Sequence, residues 1–308
     1  GMQGMHGHYA SSVSQDEADL IIAVGVRFSD RATGKKSRYG KNAKIIHLDV
    51  DFSEINKNIN VDVGINGDLK DSFERIAEKT PEAKHPEWIA KVNEFVEKEN
   101  SRYIVTQKLT PKRLIDIINA NIDPDTVIAT DVGQHQMWAA QYCNFKKPRK
   151  MVSSGGLGTM GFGMGAAIGA AIGSGCRTVL ITGDGSFGMN LNEMATAVST
   201  GAPVTIVIFN NGVLGMVRQW QTLFFNKHYS NTTLERKTDF VKLAEAFGAK
   251  GLRADTPESF EKAFREAYET NGPVLIDCKI DQDEFVLPML PPGGSIDDII
   301  VGKEQDDE

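Results

Sequence analysis

A possible metal and phosphate site stands where two apolar runs of the sequence end. Asp184 lies in the run Gly183-Asp184-Gly185-Ser186, directly after residues 178–182, and Asn211 follows the apolar run 204–209. Oxygen-bearing side chains at the carboxyl ends of neighbouring parallel strands can bind one hard cation, and a helix N-terminus beside them can receive phosphate. The pattern therefore predicts a site for a Mg²⁺-diphosphate cofactor.

The donor set expected at this site contains only oxygen atoms. Asp184 is the first predicted metal ligand, and the Asn211 amide oxygen and the Val213 carbonyl complete the protein's share of it. Two phosphate oxygens and a water would then fill the octahedron that Mg²⁺ demands. The alternative is two ordinary turns, because Asp-Gly and Asn-Gly are common turn pairs. The buried strand expected before each pair favours the metal site.

The elements that must position these residues follow one another from Thr110-Pro111 onward. Apolar, β-branched runs predict strands, and the stretches between them have helical spacing. Because the strands are apolar on both faces, we expect an α/β fold with a doubly wound parallel sheet and helices on both faces. The predicted strands are 126–129, 178–182, 204–209 and 274–277, and the predicted helices are 134–142, 161–173, 190–200, 239–247 and 257–270.

The first part of the chain predicts part of a second α/β domain, with strands at 19–25, 43–50 and 60–65 and a helix from Leu69. A Lys- and Glu-rich stretch with helical spacing follows and is interpreted as a linker helix. The expected organisation is a partial α/β domain at 1–80, the linker at 81–109, the cofactor domain at 110–290 and a C-terminal tail at 291–308, frayed over its acidic end 304–308.

Composition excludes several classes of protein. A formal net charge of −7 argues against a general nucleic-acid binder. No segment approaches the length of an apolar membrane span, and the N-terminus lacks a signal pattern, so we expect no membrane association. Three widely spaced cysteines, Cys143, Cys176 and Cys278, predict neither a disulfide framework nor a zinc site. These features favour a reducing cytoplasm.

A literal GxGxxG at residues 156–161 is a weak signal. The dinucleotide fingerprint needs an apolar strand immediately before it, whereas here residues 146–154 are mostly basic and polar. An NAD site is therefore not predicted. The Gly- and Ala-rich run 163–172 that follows predicts a helix packed closely against a neighbour.

Longer strings narrow the cofactor. Gly183–Ser186 with Asn211 matches the signature of thiamine-diphosphate enzymes, and DVGQHQMW (131–138), SGGLGTMG (154–161) and GMVRQWQ (215–221) point to one branch. Together with VLPMLPPG (286–293), they make the chain resemble, over essentially its whole length, the catalytic subunit of the acetolactate (acetohydroxyacid) synthases. The resemblance implies decarboxylation of pyruvate and carboligation to a second 2-oxoacid in branched-chain amino-acid biosynthesis.

The resemblance also assigns residues to thiamine diphosphate and Mg²⁺. Met160 matches the bulky apolar residue that props the cofactor in its bent form, although it could be plain core filler, and a lone His135 is more often structural. The implied cofactor-binding residues are Gly133, Gln134, His135, Gly158, Met160, Gly183, Asp184, Gly185, Ser186, Asn211, Val213, Leu214, Gly215 and Met216.

Flavin and substrate contacts are implied in the same way. Residues 1–80 resemble the later part of a central FAD-binding domain, although ordinary polar residues in contact with solvent would also explain His6 and Arg27. The Arg31 guanidinium can receive a 2-oxoacid carboxylate, and Met216 and Trp220 resemble the apolar wall that selects the second substrate, with an ordinary core stripe as the alternative. The implied FAD contacts are Met5, His6, Gly25, Arg27, Phe28, Asp49 and Asp68.

The family's pyrimidine-binding domain, with the glutamate that protonates the cofactor ring, has no counterpart in these residues. We therefore expect a C-terminal fragment that holds half of an active site, is inactive alone, and comes from a homodimer or tetramer with a small regulatory subunit. Two alternatives stay open. One is another thiamine-diphosphate enzyme, such as glyoxylate carboligase or pyruvate oxidase. The other is a non-catalytic binding or assembly module.

Overall fold

The computed structural model describes residues 1–103, 107–235 and 237–302 of the 308-residue chain. The chain divides into two compact units, Gly1–Ile104 with Leu287–Glu308, and Val105–Val286. Each unit is built on its own sheet, and all strand pairs in both sheets are parallel. The predicted α/β fold class is thus confirmed.

The first unit contains a three-stranded sheet in the order β1-β2-β3. Its core lies on one face of this sheet, where Ala23, Phe28, Ile45 and Ile59 pack together. The strands are β1 (Leu20–Val24), β2 (Lys44–Asp49) and β3 (Val63–Asn66), and the helices are α1 (Tyr9–Glu17), α2 (Asp30–Thr33), α3 (Leu69–Ala77) and α4 (Pro86–Asn100), with short 3-10 helices at Phe52–Glu54 and Ile296–Asp298.

The helix expected as a linker packs within the first unit. The buried Glu99 carboxylate at the end of α4 accepts a hydrogen bond from the backbone N–H of Ala10 at 3.0 Å and contacts Nδ1 of His8 at 2.9 Å. It thereby binds the start of α1, whose His8 N-cap makes no side-chain capping bond of its own. Amphipathic spacing predicted the helix but could not show its partner. Residues 104–106 of the expected linker lie outside the described part.

The segment after Val286 returns to the first unit. The backbone N–H of Leu290 donates to the Met5 carbonyl at 2.7 Å, and that of Lys35 donates to the Gly294 carbonyl at 3.0 Å. The structure therefore places the change of unit at 286/287, whereas the sequence pattern placed it at 290, because main-chain bonds of this kind leave no side-chain signature. The acidic end expected to fray, 304–308, lies outside the described residues.

The second unit holds a six-stranded sheet in the order β5-β4-β6-β7-β9-β8. The predicted strands and helices are present. The structure adds two short edge strands, β5 and β8, that the sequence did not predict. The strands are β4 (Val127–Thr130), β5 (Met151–Val152), β6 (Thr178–Gly183), β7 (Val204–Asn210), β8 (Lys250–Ala254) and β9 (Val274–Lys279). The helices are α5 (Pro111–Asn121), α6 (Gln134–Tyr142), α7 (Phe162–Ser174), α8 (Asp184–Phe187), α9 (Met194–Thr200), α10 (Gly215–Phe224), α11 (Phe240–Ala246) and α12 (Pro257–Glu269), with a 3-10 helix at Leu191–Glu193.

Both faces of the central strands are covered. Successive residues of β6 point to opposite cores, since Val179 and Ile181 pack with α5, α6 and α12, whereas Leu180 packs with α7, α9 and α11. Strand β7 alternates in the same way and is buried along its whole length. Burial on both faces fixes the strands, and hence fixes the positions of the loops at their carboxyl ends. Across the described ranges, no helix is long and apolar enough to cross a membrane.

Candidate functional site

The predicted metal ligands follow two neighbouring strands at the same edge of the sheet. Gly183, the last residue of β6, is paired with Phe209 of β7, so Asp184 and Asn211 both lie just beyond this register. Neighbouring strands are about 4.8 Å apart. Asp184 is only 4 % exposed and begins α8, and Asn211 is half-buried. The structure thus brings the two side chains to one edge, as the strand pattern predicted.

The donors at this edge are oxygen atoms, the ligand type that a magnesium ion accepts. Within 1–103, 107–235 and 237–302, no group of three or more His, Cys, Asp or Glu side chains could hold a metal. The Asn211 amide oxygen accepts the backbone N–H of Val213 at 3.2 Å and keeps a second lone pair. A carboxylate, an amide oxygen and a backbone carbonyl, with phosphate oxygens and water, form the all-oxygen set that Mg²⁺ accepts.

One carboxylate that the sequence analysis left without a role lies at the centre of the site. Asp131 follows β4 and is 1 % exposed. Its Oδ1 accepts hydrogen bonds from the backbone N–H of Val132 at 2.9 Å, from the backbone N–H of Gly161 at 2.8 Å and from Oγ of Ser186 at 2.5 Å. The sequence did contain a signal for Asp131. It is a carboxylate directly after a buried strand, as Asp184 is after β6.

His135 packs against two glycines of the predicted site. A Cβ atom on Gly183 would lie 2.8 Å from Nδ1 of the ring, and one on Gly133 would lie 2.8 Å from its Cε1. Burial lowers the pKa of His135 from 6.5 to about 4, and the nearby Asp131 only partly opposes this shift. The ring is therefore neutral at neutral pH. Its Nε2 is buried and has no hydrogen-bond partner within the described part of the chain.

Gln134 links the first turn of α6 to α10. Its amide Nε2 donates to Oε1 of Gln219 at 3.0 Å and to the Glu284 carbonyl at 2.9 Å. Its Oε1 accepts a hydrogen bond from Nδ2 of Asn211 at 3.4 Å. A Cβ atom at Gly215 would lie 1.8 Å from the same Oε1, so a larger residue there would require the Gln134 side chain to move. Gln219, which the sequence analysis also missed, has no local signal because its partner lies far away in the chain.

Three apolar side chains, those of Leu214, Leu234 and Met160, pack around Gly185 near the start of α8. A Cβ atom on Gly185 would lie 3.0 Å from Leu214, 3.3 Å from Leu234 and 3.9 Å from the Met160 methyl. Gly158, two residues before Met160, has φ +63 and approaches Val132. Met160 is half-buried beside the predicted cofactor loop and outside the two core clusters of the unit. The role of Met160 as a cofactor prop stays a prediction.

Met216 and Trp220 lie one turn apart on α10 and line an open groove of about 680 Å³. Phe224, Phe225 and His228 line the same groove. Neither Met216 nor Trp220 belongs to the core clusters, which argues against the interpretation of a core stripe. The groove is thus an apolar surface directly after the Asn211–Gly215 loop.

The predicted substrate and flavin contacts of the first unit occupy varied environments. Arg31 is exposed and pairs with Asp30 at 3.0 Å. Phe28 is buried, with its ring edge-to-face on Tyr39 and His47. Asp68 caps α3. These side chains therefore have structural partners, and their roles toward flavin stay predictions. Of the others, Met5 and Asp49 are buried, His6 is half-buried, and Gly25 and Arg27 are exposed.

Comparison with known proteins matches both units to one family. The model of the "Thiamine pyrophosphate enzyme, C-terminal TPP binding domain" matches residues 131–278, and that of the "Thiamine pyrophosphate enzyme, central domain" matches residues 1–76. The first match contains the residues of the candidate site in the second unit, apart from Glu284. The two matches together cover most of the chain.

Curated relatives agree with these matches. The Escherichia coli acetolactate synthase isozyme 3 large subunit is 38% identical over 99% of this chain and 55% of its own length. The acetolactate synthase large subunit of Haemophilus influenzae is 37% identical over 100% of this chain and 55% of its own. The mitochondrial acetolactate synthase catalytic subunit of Saccharomyces cerevisiae is 39% identical over 97% of this chain and 46% of its own length. The chain spans about half the length of the curated relatives that it matches.

The matched C-terminal domain contains the main groups of the candidate site. They are the Asp184 carboxylate, the Asn211 amide, Gly183 and Gly215, and the buried Nε2 of His135. Their chemistry suits Mg²⁺ and a diphosphate. The chain belongs to the thiamine pyrophosphate enzyme family, in which it is similar to the acetolactate synthase large subunits.

Proposed function

We propose that these residues bind the Mg²⁺-diphosphate end of thiamine diphosphate in a protein that makes acetolactate-type products from 2-oxoacids. The observation that carries the proposal is the shared edge of β6 and β7, where Asp184 and Asn211 follow paired strands beside the unpartnered Nε2 of His135. Thiamine diphosphate, when bound, supplies the electron sink that bond cleavage next to a carbonyl requires.

The residues of this edge have separable tasks in the proposal. The Asp184 carboxylate, the Asn211 amide oxygen and the Val213 carbonyl bind Mg²⁺. Gly183 and Gly185 lack side chains, and His135 and Leu214 pack where their Cβ atoms would lie, so these side chains sit directly against the phosphate-binding turn. His135 is neutral at neutral pH and offers Nε2 as a hydrogen-bonding group without adding a second full charge. Together they bind and orient the cofactor through its non-reacting end.

The apolar residues position the reacting end and the substrates. Met160 lies against the α8 loop and excludes water on that side. Met216 and Trp220 line the groove that follows Asn211 and contact the second 2-oxoacid. Arg31 carries an exposed guanidinium that can bind a 2-oxoacid carboxylate.

Further properties of the relatives are part of the same proposal. Because several relatives are named large or catalytic subunits, we propose a small regulatory partner and a homodimeric or tetrameric assembly. We also propose that the first unit binds FAD in the full-length protein and that the protein is cytoplasmic. The activity itself is assigned to the full-length protein, since the relatives are about twice as long.

The test is product analysis of the full-length protein with pyruvate, alone and with 2-oxobutanoate, in the presence of thiamine diphosphate and Mg²⁺. We expect 2-acetolactate from pyruvate and the mixed product with both substrates. Formation of acetyl phosphate, or turnover of glyoxylate only, would refute acetolactate synthesis in favour of another enzyme of the family. Absence of any cofactor binding would refute the assignment of the site as a whole.

A further inference from the structure

Asp131 has an unusual arrangement of donors around one oxygen atom. Among the described residues, its Oδ1 accepts three hydrogen bonds, while its Oδ2 has only the Thr182 hydroxyl at 3.5 Å. The 2.5 Å distance to Ser186 Oγ lies in the range of charge-assisted O–H···O⁻ bonds. Among the ion pairs of the described residues, none includes Asp131. The charge of this buried carboxylate is therefore balanced by the N–H and O–H groups that it binds.

The three donors belong to different segments of the second unit. Val132 follows β4, Gly161 immediately precedes α7, and Ser186 lies within the short helix that begins with Asp184. Gly161 also follows Met160 directly. One oxygen atom thus joins the helix of the predicted metal ligand to the loop of the predicted cofactor prop.

Ser186 provides a second constraint. A hydroxyl group carries one proton, and the structure shows that this proton is donated to Asp131. Phosphate oxygens at neutral pH accept hydrogen bonds, so this hydroxyl cannot donate to a diphosphate while it binds Asp131. Any contact of Ser186 with the cofactor must then use its backbone N–H.

The packing around Asp131 leaves little freedom for compensation. A Cβ atom on Gly163 would lie 2.9 Å from the backbone nitrogen of Asp131 and 2.9 Å from its Cβ. The start of α7 is therefore in direct contact with the Asp131 backbone. A change in the Asp131 side chain must be absorbed by the Met160–Gly161 loop or by α8, because α7 cannot approach further.

We propose that Asp131 is a positioning residue for the cofactor site. It fixes the Met160–Gly161 loop on α8 through Gly161 N–H and the Ser186 hydroxyl, and it does not touch the cofactor itself. The proposal rests on the function proposed above. It assigns to the Ser186 side chain a structural bond to Asp131 in place of a direct phosphate contact.

The experiment measures the binding of thiamine diphosphate to the cofactor-free full-length protein by calorimetry, at fixed Mg²⁺, for the wild type, Asp131→Asn, Ser186→Ala and the double variant. Asp131→Asn keeps the shape but removes the charge, and we expect affinity to fall about 10- to 100-fold, as for residues that orient metal ligands. The loss should appear more strongly in the Kd for thiamine diphosphate than in kcat at saturating cofactor, because a positioning residue does not touch the reacting atoms. Ser186→Ala should lose less affinity for thiamine diphosphate than Asp131→Asn does. The double variant should lose no more affinity than Asp131→Asn alone, because both changes break the same contact.

Ile118→Ala is the matched control, because Ile118 on α5 is fully buried in a core cluster of the same unit that does not include Asp131, Gly161 or Ser186. We expect it to lower the unfolding temperature while cofactor affinity stays at the wild-type value. A parallel affinity loss in this control would show that Asp131 acts through general stability, and would overturn the proposal.

Two other results would overturn it as well, namely wild-type affinity in Asp131→Asn and losses that multiply in the double variant. If Asp131→Asn does not fold, Ser186→Ala decides, since wild-type affinity there refutes the proposal and an affinity loss larger than the loss in kcat supports it. A wild-type protein that binds no thiamine diphosphate refutes the proposed function, whereas normal binding by the wild type and all variants refutes only the role of Asp131.

Discussion

Replacing Gly215 by alanine tests the geometry of the site most directly. The added Cβ atom would lie 1.8 Å from Oε1 of Gln134 and 2.9 Å from Nδ2 of Asn211, both below the distances that folded proteins tolerate. Gly215 does not have positive φ, so backbone strain is not the cause of the effect. The Gln134 side chain must move, and its amide then leaves the positions that bind Gln219 and the Glu284 carbonyl.

The magnitude follows from the hydrogen bonds that are lost. Gln134 is 4 % exposed and Gln219 is 2 % exposed, so neither regains water easily. Two buried amide hydrogen bonds, at about 1 kcal/mol each with an added cost for an unpaired group, amount to about 2–3 kcal/mol. Alanine recovers about 0.5–1 kcal/mol through the lower entropy of the unfolded chain. The expected net loss is about 2 kcal/mol, or about 4–8 °C in unfolding temperature for a unit of this size.

Thermal unfolding of the full-length protein, with calorimetric titration of thiamine diphosphate, measures both effects. Gly169→Ala is the control, because Gly169 lies inside α7 and a Cβ atom there meets nothing within 4 Å. We expect this control to stabilise the protein by about 0.5–1 kcal/mol. Equal unfolding temperatures for Gly215→Ala and the wild type, with unchanged cofactor affinity, would refute the close contact between Gly215 and Gln134.

Three further predictions concern individual side chains. Asp184→Asn should weaken Mg²⁺-dependent binding of thiamine diphosphate, because a neutral amide replaces the anionic ligand, and an unchanged calorimetric titration would contradict its role as a ligand. His135 is neutral in the folded protein down to about pH 4 but protonated in the unfolded chain below its ordinary pKa of 6.5. Stability should therefore fall by about 3 kcal/mol as pH drops from about 6.5 to 4, and urea unfolding of cofactor-free His135→Asn should lack this loss. Burial raises the pKa of the Cys143 thiol to about 12, so iodoacetamide at pH 8 should modify Cys143 only after denaturation, and rapid labelling of the folded protein, seen by mass spectrometry, would contradict that environment.

The sequence predicted the central strands because their environment is simple. Residues 178–182 and 204–209 are apolar on both faces, and the structure buries them between two layers of helices. The edge strands gave no such signal. Strand β8 reads Lys-Gly-Leu-Arg-Ala and is half-exposed, and β5 has only two residues. Helix α1 is rich in serine and owes its position to Glu99 of α4, far away in the chain.

The candidate site was predictable where its residues follow strands and hidden where they act through distant partners. Asp184 and Asn211 could be found because parallel strands end at a common edge. The bonds from Asp131 to Gly161 and Ser186, and from Gln134 to Gln219, join residues that local spacing cannot relate. The return of the chain after Val286 was missed for the same reason, because its bonds to the first unit are made by the backbone.

Glycine explains why so many polar side chains of the site have a single position. At Gly183 and Gly215, the space that a Cβ atom would occupy is filled by His135 and Gln134 respectively. The His135 ring is therefore confined by the backbone of Gly133 and Gly183, and Gln134 is held by the Gly215 backbone and by buried hydrogen bonds. A site fixed in this way loses little conformational entropy when a ligand binds, because its groups are already ordered. It follows that adding one methyl group at Gly183 or Gly215 should weaken cofactor binding more than removing a methyl group from the apolar groove on α10.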